Sequence, residues 1–203
     1  MPDGTFDTEF GDNDGISKTN LNGEYFSFGD IEIQEDGKIV TLTSNGSNST
    51  FAYAFTISRY LPDGSLDVGF GQSGKAIVLT GTTNSAQALA IQPNGKIIAV
   101  GHSIIGNNGL DIVLARVKSN GTFDSSFGIN GRVFTAIGKN SNSDYGFDAT
   151  LQKDGKLLVV GDRNMGNLFD YDAMILRYLV GENTVQTSTK FDFEGDDKTD
   201  ISL

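Results

Sequence analysis

The stretch Leu89-Ala-Ile-Gln-Pro-Asn-Gly-Lys-Ile-Ile-Ala-Val-Gly101 decides the fold. It reads as a strand, a tight turn and a second strand. Asn94 and Gly95 are residue types that tolerate positive φ, so the pair predicts a two-residue hairpin turn of type I′. The piece returns as Ile31-Glu-Ile-Gln-Glu-Asp-Gly-Lys-Ile-Val-Thr-Leu42 and as Ala149-Thr-Leu-Gln-Lys-Asp-Gly-Lys-Leu-Leu-Val-Val160. Its turn glycines, Gly37, Gly95 and Gly155, lie 58 and 60 residues apart. A hairpin returning at nearly constant spacing marks a repeat architecture.

A second element recurs between the hairpins. Met1-Pro-Asp-Gly-Thr-Phe-Asp-Thr-Glu-Phe-Gly11 matches Leu61-Pro-Asp-Gly-Ser-Leu-Asp-Val-Gly-Phe-Gly71 and Ser119-Asn-Gly-Thr-Phe-Asp-Ser-Ser-Phe-Gly128. Each is a glycine turn followed by Asp-x-x-Phe-Gly. Between the two elements lie runs rich in aromatic and β-branched residues, such as Phe51 to Leu61 and Lys75 to Thr80. One unit therefore predicts four antiparallel strands in about 60 residues, one blade of a β-propeller. The second strands, Ile97 to Val100 and Leu157 to Val160, are continuous apolar runs, as strands covered on both faces require. Thr41 and Thr43 interrupt the run in the first unit, which fits a unit near an end or one facing a gap.

The expected division is a partial unit over 1–28, full units near 29–86 and 87–146, and a third over 147–180 with no Asp-x-x-Phe-Gly after it. A polar linker over 181–190 and an acidic segment over 191–203 follow. Three repeats are fewer than the four blades of the smallest common propellers. The expectation is a piece of a longer chain; self-association of open blades is the other way to cover the edges.

Composition agrees. There are 26 glycines in 203 residues, against a usual share of about 7%, and they recur at fixed places, which signifies turns and not disorder. No stretch carries a long amphipathic helical period, so the class is all-β. The net charge of −11 argues against a nucleic-acid partner. No apolar run approaches the ~20 residues of a membrane helix. The absence of cysteine excludes disulfides and thiolate metal sites.

The pattern Ile-Gln-x-Asp/Asn-Gly-Lys-Ile, then Arg-Tyr, then Asp-Gly-Ser/Thr-Leu/Phe-Asp-x-x-Phe-Gly resembles the delta-60 repeat, over roughly residues 1 to 180. That resemblance implies a bacterial β-propeller on a secreted or cell-surface chain, and brings almost no chemistry with it. Phe191-Asp-Phe-Glu-Gly-Asp-Asp-Lys-Thr-Asp200 is similar to the start of an FG-GAP or VCBS-type repeat. The likeness implies a calcium loop with Asp192, Glu194, Asp196, the Lys198 carbonyl and the Asp200 side chain as ligands. Glu194 stands where a shorter Asp is usual, and Asp197 where Gly is usual. Carboxylates at alternate positions repel one another unless a hard cation, with its 6–8 oxygen ligands, neutralises them.

Other residues read as architecture. His102, the only histidine, is expected to be an exposed residue after a strand. Arg59, Arg116 and Arg177 occupy one place in successive units and suggest inter-blade ion pairs. Asp7, Asp67 and Asp124 are expected to bind backbone amides of their own loops, which Phe10, Phe70 and Phe127 anchor to the core. Asp144, Asp148, Asp170 and Asp172 read as solvated loop charges. No catalytic set emerges. The expected function is a non-catalytic scaffold or binding platform for a protein or glycan ligand, held on the loops 44–50, 103–110 and 163–171 that follow each second strand. A carbohydrate-active or other hydrolytic propeller enzyme with a central-channel site is the alternative.

Overall fold

A computed structural model describes residues 4–20, 25–47, 52–81, 84–104, 109–137, 143–164, 166 and 170–181. The acidic segment, with Asp192, Glu194, Asp196, Lys198 and Asp200, lies outside the described residues. Among those described there are no helices. The strands are β1 (Tyr25–Ile33), β2 (Ile39–Ser47), β3 (Ala52–Tyr60), β4 (Lys75–Gly81), β5 (Asn84–Ile91), β6 (Ile97–Ile104), β7 (Leu110–Val117), β8 (Arg132–Thr135), β9 (Asp144–Leu151), β10 (Lys156–Asn164) and β11 (Tyr171–Leu179). They form three antiparallel sheets in simple meander order: β1-β2-β3-β4, β5-β6-β7-β8 and β9-β10-β11. The all-β, blade-by-blade reading holds, and the three sheets do not close on themselves.

The hairpin turn differs from the expected type. The Gly95 N–H donates to the Gln92 carbonyl, and the Gln92 N–H to the Lys96 carbonyl, each at 2.8 Å. Gly95 has φ +79°, but Asn94 keeps a negative φ. This is the three-residue loop in which an ordinary turn ends in a left-handed glycine, and not a type I′ turn. Asn94 serves the turn through its side chain instead, whose oxygen accepts from the Lys96 N–H at 3.1 Å. Asp36 and Asp154 do the same for Lys38 and Lys156. The Asx side chain thus substitutes for a backbone acceptor, which explains why Asp and Asn interchange there.

The sheets stack face to face, with the second in the middle. Val40, Leu42, Phe55 and Ile57 of the first sheet pack on Leu89, Ile97, Ala99 and Val113 of the second. On its other face Ala90, Ile98, Val100, Ile112 and Leu114 meet Leu157 and Val159 of the third. Seven of the eight residues of β6 are buried, so no position needs to be polar for solvent's sake. The first and third sheets each have one covered face. Phe28, Ile31 and Ile33 remain exposed on one outer face, and Ile175 and Leu179 on the other.

The arginines and the Asp-x-x-Phe-Gly loops form one device. In the first sheet Arg59 donates from Nε to Asp67 Oδ2 at 2.8 Å, and its guanidinium covers the Phe70 ring at 4.5 Å. In the second, Arg116 Nε stands 2.8 Å from Asp124 Oδ2 as an ion pair, over Phe127 at 4.4 Å. Asp67 and Asp124 also accept from the N–H groups of Gly69 and Ser126, as expected of them. The ion pairs join residues of one unit, not of two blades. What crosses to the next unit is the other end of each guanidinium: Arg59 Nη1 donates to the Ser119 carbonyl at 2.6 Å, and Arg116 Nη1 to the Val180 carbonyl at 2.7 Å. Ser119 and Val180 each follow the next unit's arginine by three residues. Backbone bonds run parallel to this, Gly11 N–H to Asp63 carbonyl at 2.7 Å and Gly71 N–H to Asn120 carbonyl at 2.8 Å.

Candidate binding site

The hairpin turns put one end of every sheet under a uniform pattern. The opposite end is where the sequence departs from repetition. The end of β6, the start of β7, the start of β9 and the end of β10 meet there, because antiparallel pairing brings those termini together. They carry His102, Asp111, Asp144, Tyr145 and Asp162. Sequence periodicity does not signal this group, since its members come from two units.

A bulge helps to build it. In each sheet the first strand slips once against the second, leaving Gly29, Gln87 and Phe147 as the extra residues. A bulge breaks the alternation and re-aims the side chains beside it. In β9 the result is a stacked pair, Tyr145 and Phe147, with centroids 5.9 Å apart and planes 9° from parallel. His102 packs edge-on to both, at 5.0 and 6.1 Å. Phe147 is 43% exposed, so the pair presents an open aromatic surface. The repeat alignment sets Phe147 against Gln87 and Gly29; an aromatic residue at a place that is otherwise small or polar was the available signal.

His102 corrects the sequence reading. It lies inside β6 and is buried, because Tyr145 and Phe147 of the next unit cover it. Burial pushes its pKa below the ordinary imidazole value, against the opposing pull of the Gly146 carbonyl, 3.4 Å from Nδ1, and of Asp162. Asp144 is likewise no solvated loop charge. It is fully buried at the start of β9, and its Oδ2 accepts from the Ile137 N–H at 2.6 Å. Asp148, Asp170 and Asp172 are exposed, as expected, although Asp148 and Asp172 lie in strands. Partial burial and the nearby Asp144 push the Asp111 carboxyl up to about 6.

That shift fixes a pH dependence. Asp111 binds its proton more tightly folded than unfolded, so the proton's stabilisation is complete below about pH 4 and is lost as pH rises through 6. Asp111→Asn should therefore exceed the parent in unfolding free energy by about 2 kcal/mol at pH 7, with the gap closing towards pH 4. Urea unfolding of both proteins across that range measures it. A constant difference at all pH values would contradict the assignment.

At the turn end, an open cavity of roughly 660 Å³ is lined by the first strand of each unit and the turns of the first two, including Glu32, Glu35, Asp36, Gln92 and Asn94. Its acidic lining residues, Glu32, Glu35 and Asp36, all come from the first unit; Ala90 and Thr150 stand at the places equivalent to Glu32. Among the described residues no three His, Asp or Glu side chains come together as a metal site, and no helix is long and apolar enough to cross a membrane.

Stacked antiparallel sheets of three or four strands, one per repeat, with an arginine clasp recurring in the first two, define a β-propeller-type repeat protein. Residues 34–70 and 92–127 match the family described as Domain of unknown function (DUF5122) beta-propeller. Both matched stretches begin at a hairpin-turn glutamine and end at the phenylalanine of the clasp. No curated protein matches the chain.

Proposed function

We propose that the chain is a non-catalytic β-propeller-type module of a secreted or cell-surface protein. It binds a glycan or a protein side chain at the loop end of its sheets. The observation that carries this reading is the partly exposed Tyr145–Phe147 stack beside His102, at the end where the repeat pattern breaks. Stacked aromatic faces suit the apolar face of a sugar ring or another aromatic group, and carboxylates at the rim accept hydroxyl donors. Binding to a glycan panel, measured by calorimetry, should be saturable and should weaken at least tenfold in Phe147→Ala. Binding that is indifferent to this change would remove the site from consideration.

One observation favours an alternative, a hydrolytic enzyme. Burial and the neighbouring Asp144 push the Asp111 carboxyl up to about 6, the direction that suits a general acid. Turnover of any glycan on the panel, abolished in Asp111→Asn, would replace the binding reading with this one. Separately, the alternating carboxylates Asp192, Glu194, Asp196 and Asp200 favour calcium in the acidic segment. Heat stability should then rise with added calcium and fall on chelation; an unchanged melting curve would count against a metal there.

A further inference from the structure

The clasp is complete twice and is half-present twice more. Asp7-x-x-Phe10-Gly11 is already folded as a clasp loop. Glu9 N–H donates to Asp7 Oδ1 at 3.0 Å, and Phe10 N–H to the Asp7 carbonyl at 3.1 Å. It is also seated on the first unit just as Asp67–Gly71 is seated on the second. Gly11 N–H reaches the Asp63 carbonyl as Gly71 N–H reaches that of Asn120. Phe10 lies against Gly64 as Phe70 lies against Gly121. Yet Asp7 has no cationic partner among the described residues. At the far end Arg177 occupies the place of Arg59 and Arg116, is exposed, and has no side-chain partner among the described residues. The position eight residues on, where Asp67 and Asp124 stand relative to their arginines, is Val185.

The two outer sheet faces are complementary in the same way. Ile175 is the repeat equivalent of Ile57 and Leu114, which are fully buried across the two internal junctions, yet it is 75% exposed. Ile31 is the equivalent of Leu89, buried across the first junction, yet it is 62% exposed. Among the described residues β11 has no neighbour on its outer edge, whereas β3 and β7 are covered by β4 and β8. Residues 16–20 hold the place of β4 and β8 after their clasp loop: Ile16 makes the bridge to Gly11 that Lys75 makes to Gly71 and Arg132 to Gly128.

We propose that two copies of this chain associate head to tail, the third sheet of each on the first sheet of the other. At both junctions Arg177 of one copy takes Asp7 and covers Phe10 of its partner, and residues 16–20 of that partner line the open edge of β11. Each junction repeats the packing and the clasp that the chain uses twice internally. Two copies bring six sheets together, within the four to eight of closed propellers, and a two-fold axis makes the two junctions identical.

Light scattering of the purified chain should give twice its 21.7 kDa mass. Arg177→Glu should weaken the dimer at least tenfold, and Asp7→Arg should do the same from the other side. The double variant Arg177→Glu/Asp7→Arg restores the opposite charges at both junctions and should recover the dimer. Asp7 is exposed and makes only local bonds, so its variant reads the contact even where Arg177→Glu fails to fold. A monomer, an open polymer, or a dimer that ignores both single reversals would overturn the proposal.

Discussion

Arg116→Met is expected to destabilise the folded chain by about 3 kcal/mol. Arg116 is only 1% exposed and is the largest fully buried side chain among the described residues. It neutralises Asp124, itself buried, and ties β7 to the Val180 carbonyl of the next unit. Removing one partner of a buried pair leaves an uncompensated charge, which costs roughly 3–5 kcal/mol. Lys96, 3.0 Å from the same Asp124 oxygen, keeps the cost at the lower end. For a chain of this length the melting temperature should fall by about 6–12 °C. Arg59→Met should cost less, because Arg59 and Asp67 retain 12% and 14% side-chain exposure and water takes over part of the loss. Equal costs at the two sites would mean that burial is not what makes the second clasp strong.

The same pair has a pH signature. Burial alone would raise the Asp124 pKa, but the Ser126 hydroxyl, the Lys96 ammonium and the Arg116 guanidinium hold it down to about 2. A carboxyl depressed on folding contributes stability that is fully present above its unfolded pKa, near 4. That contribution is lost as pH falls from about 4 to about 2. In Arg116→Met this acid-induced loss should shrink, since one of the charges that depress the pKa is gone. Double replacement, Arg116→Met with Asp124→Leu, should recover part of the stability at pH 7, as apolar replacements of buried pairs do.

Gly121→Ala is the second large effect, at about 2–4 kcal/mol. Gly121 has φ +82°, and a Cβ there would stand 2.5 Å from the Gly71 backbone nitrogen and 2.9 Å from its Cα. The left-handed backbone alone costs about 1 kcal/mol for alanine. The clash adds about 1–3 kcal/mol, because backbone cannot rotate away. It falls on the very nitrogen that donates to Asn120 and joins the first two units. Gly155→Ala separates the two contributions. It has φ +81° and nothing within 4 Å of its Cβ, so it should cost only about 1 kcal/mol. Chemical unfolding of both variants measures the difference. If they are equally destabilised, the close approach of units at Gly71 and Gly121 does not contribute.

The clasp shows how far the repeat pattern could be read. Arg59, Asp67 and Phe70 recur with Arg116, Asp124 and Phe127, so their shared structural role was legible from spacing. Their partners were not. Arg and Asp eight residues apart on a strand and its following loop meet only because the loop folds back on its own strand. Likewise, Ser119 and Val180 contribute carbonyl groups, which leave no mark in a sequence. His102 was misread because its cover, Tyr145 and Phe147, comes from the next unit some 40 residues on. Phe147 itself stands clear of the regular alternation through a bulge that a period of two cannot reveal.

Hairpin and strand order are local matters, set by turn glycines, Asx side chains and alternating apolar residues within about 60 positions. Those were determined by the sequence alone, and with them the all-β, blade-like class. The tertiary structure decided what depends on one unit meeting another: which guanidinium is sealed from water, where Asp111 and Asp144 are forced together, and which apolar faces find a partner. Burial and mutual distance control those energies, and both are properties of the stacked sheets. The unfilled clasp halves at Asp7 and Arg177 belong to this second kind. The motifs were visible in the chain, but only the stacked sheets show that Arg59 and Arg116 meet their clasp aspartates while Asp7 and Arg177 have no such partner among the described residues.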